Sequence, residues 1–371
     1  TTSSSSSSSS SGVFVAVGDS GNILRSTDNG SSWANASTPL GSGLYAVTFG
    51  NNTFVAIGNG GKFVKSTDNG SSFDNVTSGI GKNTSDVTFG NNTFIAVAHT
   101  GTIVRSTDNG SSWNNATSGT GSSLWGVGFG NNTFVVVGSS GNILKSTDNG
   151  SSCDNVTSGT RQQLNNVTFG NNTFVGVGDN GNILRSTDNG TNWDNATSGI
   201  TTDIRGVTFG NNTFVAVGDS GKIVRSTDNG SSWDNATSGI SQYLNGITLG
   251  NNTFVGVGSG GKIVRSTDNG SSWDNATSGI SQQFQGITFG NNTFVAVGQS
   301  GKIVRSTDNG SSWDNATSPI ETYLYGVTFG NNTFVGVGSG GKIVRSTDNG
   351  TNWDNATSPI TTYLNGVTFS E

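Results

Sequence analysis

Residues 244–280 read LNGITLGNNTFVGVGSGGKIVRSTDNGSSWDNATSGI, and this stretch sets the architecture because it recurs along the whole chain. Within it, Leu244 to Leu249 reads as a first strand and Asn251-Asn252 as a turn. Thr253 to Gly258, rich in β-branched and aromatic residues, reads as a second strand, and Lys262 to Thr267 as a third. Asp268-Asn269-Gly270 is a tight-hairpin signal, since Asn and Gly tolerate positive φ, and Trp273 to Thr277 reads as a fourth strand. No stretch has helical periodicity. Four strands in about 40 residues is the size of one propeller blade.

The same box recurs with its aspartate at Asp28, Asp68, Asp108, Asp148, Asp188, Asp228, Asp268, Asp308 and Asp348, a spacing of 40 residues each time. Nine copies predict a nine-bladed all-β propeller of four-stranded antiparallel blades. The phase of the repeat predicts closure. The first copy begins at Gly12 with what is a second strand elsewhere, and the chain ends on Leu364 to Phe369, a first strand with nothing after it. One incomplete blade at each end becomes one complete blade if the ends meet, whereas an open solenoid would leave unpaired edges and need capping repeats. The expected division is a Ser-rich N-terminal tail over 1–11 and a single propeller domain over 12–371.

Composition fits thin repeated layers better than one thick core: hydrophobic residues are 30% and charged residues 11% of the 371. A net charge of −6 gives no basic footprint for nucleic acid, and no apolar run approaches a membrane span. The lack of any Met, even at position 1, points to a processed product or an excerpt. A single Cys excludes an intrachain disulfide.

The box Ser26 to Trp33 and its copies resembles the Asp-box, or BNR repeat, of sialidase-like propellers, over essentially Gly12 to Phe369. The resemblance implies that the box lies in the hairpin between third and fourth strands and is structural. Its Asp would accept hydrogen bonds from turn amides with Trp packed beneath. Phe73 and Cys153 replace Trp in two copies, and Cys153 is expected to be a buried apolar substitute rather than a nucleophile. Sialidases use an arginine triad, a Tyr/Glu nucleophilic pair and an acidic Asp. Here the only glutamates are Glu321 and Glu371, and most basic residues (Arg25, Lys65, Arg105 and their copies) share one repeated position. No catalytic residue, cofactor or metal is therefore expected. The lone His99 stands where other copies have Asp19, Ser139 or Gln299.

Variation among copies falls in two places: the loop between second and third strands, and the link from the fourth strand into the next first strand. In an up-and-down blade both emerge on one face, opposite the uniform Gly-Asn-Asn and Asp-Asn-Gly turns. The variable face carries Tyr45, Trp125, Arg161, Arg205, Tyr243, Tyr323, Tyr325 and Tyr363, with Gln242, Gln282, Gln285 and Asn165. Aromatics with amides suit glycan or peptide contact; the same residues could instead plug a wide central channel. Asn-x-Ser/Thr sequons at Asn35, Asn51, Asn211, Asn229 and Asn235 read either as N-glycosylation sites or as ordinary hairpin sequence. With the Ser tract they point to a secreted or cell-surface protein. The expected function is non-enzymatic recognition of a glycan or protein partner through the variable face. The alternatives are a structural subunit of a glycosylated surface filament or coat, contacting other copies of itself, and, more remotely, a sialidase-like hydrolase.

Overall fold

In the computed structural model, residues 12–36, 40–196, 198–236 and 238–370 are described, apart from the side chain of Thr277. The Ser-rich segment 1–11 lies outside them. The described residues form nine four-stranded antiparallel sheets. In the seventh, Leu244–Gly250 is innermost, followed outward by Thr253–Gly258, Lys262–Ser266 and Asp274–Thr277. The third strand stops at Ser266 and the fourth starts at Asp274 because Ser266 and Trp273 belong to the hairpin: the Ser266 hydroxyl accepts from Gly270 N (2.7 Å), and Trp273 Nε1 donates to Gly270 O (3.0 Å).

The first blade is completed as the repeat phase implies. Val13–Gly18 pairs with Leu364–Ser370, in a register running from Val13 opposite Ser370 to Val17 opposite Gly366. Phe14 and Phe369 pack with ring centroids 4.7 Å apart.

Each second strand is buried along its whole length, since both of its faces meet a neighbouring blade. The core is therefore divided into nine clusters, one per blade boundary. Between the fifth and sixth blades, Val175, Val177 and Ile183 meet Ile204, Phe214, Val224 and Trp233. Across the chain ends, Val335, Val337 and Ile343 meet Phe14, Leu24, Trp33 and Leu364. Every boundary has such a cluster, so the ring is closed. Innermost strands approach closely at their ends, where eight of the nine carry glycine and the ninth Ser370: a Cβ on Gly290 would lie 2.1 Å from Phe329 Cγ in the next blade.

The repeated basic residue has a role its position in sequence does not reveal. Arg25 Nε donates to Asn69 O of the next hairpin (2.6 Å), and Arg105 to Asn149 O (3.1 Å). Lys65 and Lys145 reach Ser111 and Thr191 instead, and Arg345 reaches across the chain ends to Asn29 O (3.1 Å). A latch of this kind spans each boundary. On the same face Asn51 Nδ2 donates to Asn109 Oδ1 (2.8 Å), and Asn331 to Asn29 (2.6 Å).

Candidate functional site at the mouth of the channel

The Asp-boxes account for themselves locally. Asp228 Oδ1 accepts from the Ser226 hydroxyl (2.7 Å) and Ser232 N (3.0 Å), and Oδ2 accepts from the Ser232 hydroxyl (2.6 Å). Partial burial pushes this carboxyl up, but the Ser232 hydroxyl and amide and the Ser226 hydroxyl outweigh it and hold it at about 2. Asp28, Asp68, Asp108, Asp148, Asp188, Asp268, Asp308 and Asp348 sit in the same cradle, and all are shifted down. Cys153 packs with Phe134 and Val136. Burial first, then the Asp148 and Asp154 carboxylates, raises its thiol to about 12. Among the described residues no three His, Cys, Asp or Glu side chains gather as a metal set.

The sequons share the turn geometry. Asn51, Asn211 and Asn229 have φ of 46°, 49° and 58°, the left-handed conformation that Asn supplies in tight turns. The amides of Asn51 and Asn211 are engaged across a blade boundary, and Asn229 Oδ1 accepts from Asn171. Asn35 and Asn235 are exposed on outermost strands.

On the opposite face every innermost strand carries a β-bulge after its first residue. Leu44 pairs with Gly58 and Ala46 with Ile57, leaving Tyr45 unpaired, and the same shift occurs in all nine blades. A bulge re-aims one side chain out of the ladder. One residue per blade is thereby set in a ring about the channel mouth. Of the expected residues Tyr45, Trp125, Arg205 and Tyr325 occupy bulges, as do Asn165 and Gln285. Tyr243, Tyr323 and Tyr363 lie two residues before a bulge, at the position where the link enters the strand. Arg161 is exposed farther back in a link and belongs to neither set.

In five blades the bulged side chain bonds to the turn after the second strand of its own blade, while Asn245 donates to Phe284 O of the next blade (2.8 Å). Trp125 Nε1 donates to Ser139 Oγ (2.8 Å), Asn165 to Asp179 (3.0 Å), Asn365 to Asp19 (3.0 Å) and Arg205 Nε to Asp219 Oδ1, while Ser339 Oγ donates to Tyr325 OH (2.9 Å). The strand-entry side chain instead leans back on the preceding blade: Gln299 Nε2 donates to Tyr323 OH (2.5 Å), and Tyr243 lies 5.1 Å under the Arg205 guanidinium. Asn245 and Asn365 are members not singled out in the sequence, and aligning the nine copies on the bulge column reveals them; Asp19 belongs to the variable loop. Asp86, next to the third bulge, accepts from Val127 N of the following blade (3.0 Å), and burial pushes its carboxyl up against that bond. His99 packs edge-on to Trp125, centroids 5.2 Å apart.

Tyrosines concentrate around the chain junction. Tyr323 stacks on Tyr325 at 6.2 Å, and Tyr325 meets Tyr363 edge-on at 6.2 Å. Tyr45, Tyr323 and Tyr363, at 43%, 39% and 51% exposure, are the exposed large hydrophobics among the described residues, all in three consecutive blades of this face.

Solved structures share this fold at low identity. YCF48 from Cyanidioschyzon merolae matches with a TM-score of 0.50 and 17% identity over 71% of this chain and 94% of that one. YCF48 bound to D1 peptide matches at 0.51 and 20% identity, over 71% and 91%. The Dos1 propeller matches at 0.65 and 11% identity, over 84% and 94%. Among curated proteins nothing matches significantly. The family described as photosynthesis system II assembly factor YCF48 matches residues 130–371. The sialidase-like resemblance thus holds at the level of a BNR-type propeller, and the specific family is another one. This match also corrects the expectation of a secreted or cell-surface protein, because photosystem II is assembled inside the photosynthetic cell. The sequons that prompted that expectation are accounted for in part by the left-handed turns at Asn51, Asn211 and Asn229. With most of its length matched, this chain belongs to the BNR-repeat propeller family of the photosystem II assembly factor YCF48.

Proposed function

We propose that the chain is a non-enzymatic assembly factor that holds an extended polypeptide segment on its variable face, at the ring of bulged side chains. The observation that carries the reading is that ring: nine bulges lift one residue per blade out of an otherwise repeated framework, and those residues differ from blade to blade. Aromatic rings held in place by a hydrogen bond, as Trp125 is by Ser139 and Tyr325 by Ser339, lose little entropy on contact and suit polypeptide recognition. Membership of the YCF48 family, and the existence of a YCF48 structure with D1 peptide bound, support a polypeptide rather than a glycan as partner.

The test is fluorescence anisotropy with a labelled D1 peptide. Replacing Tyr325 and Tyr363 together by Ala is expected to weaken binding at least about tenfold, the effect of losing two aromatic anchors. Asn235→Gln on the outermost strand leaves it unchanged. Equal binding by the tyrosine variant and the native chain refutes the assignment of the face.

A further inference from the structure

Taking the channel mouth as a polypeptide-binding face, as proposed above, we infer that the bound segment is proline-rich and docks as a polyproline II helix along an uncharged band of side chains from Tyr243 to Tyr363. The band runs without a break from the seventh blade through the eighth and ninth to the first. Tyr243 OH donates to Gln283 Oε1 (2.9 Å). Gln283 is tied to Gln299 twice, by Gln299 N donating to Gln283 O (2.8 Å) and Gln283 N donating to Gln299 Oε1 (3.5 Å). Gln299 Nε2 donates to Tyr323 OH, Tyr323 stacks on Tyr325, and Tyr325 meets Tyr363 edge-on. At the sixth-blade end, the Arg205 guanidinium that lies 5.1 Å from the Tyr243 centroid is paired with Asp219, so the charge that touches the band there is neutralised within the chain.

The groups that the band leaves unused define its partner. Both glutamine side-chain oxygens are engaged, Gln283 Oε1 by Tyr243 and Gln299 Oε1 by the Gln283 amide. Donors are left over. Gln283 Nε2 and the Tyr323 hydroxyl proton, whose oxygen accepts from Gln299, meet no acceptor among the described residues. Tyr323 and Tyr363 stand 39% and 51% exposed beside them. Rings, free donors and no charge fit a segment that brings apolar area and carbonyls but few N–H groups. Proline has an apolar ring and no N–H. A polyproline II helix presents its carbonyls unpaired, in a conformation largely fixed before binding, and aromatic-lined surfaces are its recurring dock. A segment rich in N–H donors would find the glutamine oxygens engaged, and a charged one would lose water along the band without gaining a counter-charge.

The chain has five tyrosines, so 3-fluorotyrosine labelling gives five fluorine resonances, and Tyr45, 43% exposed in the second blade and outside the band, serves as internal reference. Acetyl-octaproline amide is expected to shift the Tyr323 and Tyr363 resonances saturably and to leave Tyr45 unmoved; an acetylated Gly-Ser octapeptide amide moves none of them. Tyr363→Ala weakens the response read at Tyr323 about tenfold. Tyr323→Phe, which keeps the ring and removes the donor, weakens the response read at Tyr363 about fivefold, and the melting temperature holds in both variants. An equal response to the Gly-Ser peptide, a Tyr45 shift as large as that of Tyr323, or octaproline affinity unchanged in both variants overturns the proline reading. D1-peptide anisotropy separates the two readings. A chain that binds D1 peptide through Tyr325 and Tyr363 but gives no octaproline response refutes the proline reading alone; a chain that gives the response but binds no D1 peptide refutes the assembly-factor reading alone.

Discussion

Closure of the ring can be measured by making one substitution at two equivalent places. Leu364 and Leu164 both open an innermost strand and are both fully buried, one at the junction of the chain ends and the other in mid-chain. Truncating a fully buried leucine to alanine costs about 2–5 kcal/mol, the methyl transfer term plus the cavity left behind. Unfolding entropy of about 2.1 cal/mol/K per residue, over a ring of this length, converts each kcal/mol into a fall of about 1.3 °C. Leu164→Ala is therefore expected to lower the melting temperature by about 3–7 °C, and Leu364→Ala by the same amount to within about 2 °C. The two sites lie in different blades, so the double variant falls by the sum. Differential scanning calorimetry reads all three. A fall of under about 1 °C for Leu364→Ala beside a full effect at Leu164 would mean that the last strand is not packed as the first blade's inner edge, and the closed-ring account would be wrong.

The other expectations concern the uniform face and the box. Arg345→Ala removes the latch that joins the last blade to the Asn29 carbonyl and is expected to cost about 1 kcal/mol in chemical denaturation; an equal loss from Arg105→Ala shows that the junction is held like any other boundary. The Asp-box carboxyls are shifted down in the folded ring, so their contribution is fully present above the unfolded value near 4 and is lost as pH falls toward 2. A melting temperature that declines between about pH 4 and pH 2, less steeply in Asp228→Asn, is the expected titration. A flat profile would contradict the cradle. Cys153, with its thiol raised to about 12 and only 6% exposed, is expected to resist iodoacetamide at pH 8 until denaturant is added; rapid alkylation of the native chain would contradict its burial.

The architecture was readable because the Asp-box fixes the phase of every blade and because Gly12 and Phe369 lie at complementary points of the repeat. The ring of bulges was not. Strict alternation along Leu44 to Phe49 would place Leu44 with Ala46 and Thr48. In the structure Leu44, Val47 and Phe49 share one cluster while Ala46 joins the next, because Tyr45 is an extra residue in the ladder. A period-two reading cannot show that insertion. The latches were hidden for a different reason: Arg25 and Asn69 are 44 residues apart, and only the ring brings a guanidinium to that carbonyl. Localisation was misread because a left-handed Asn before Thr or Ser has the same spelling as a glycan acceptor, and the backbone angle that distinguishes the turn is not written in sequence.

The bulge has one more consequence. A residue outside the ladder is answerable to neither strand partner, and where it is fastened, as at Trp125 and Tyr325, the bond comes from a turn in its own blade. Each blade therefore contributes one freely exchangeable character to a circular inscription, while the scaffold that carries the inscription stays the same. A chain built this way acquires a new partner by rewriting single characters, with no need to refold.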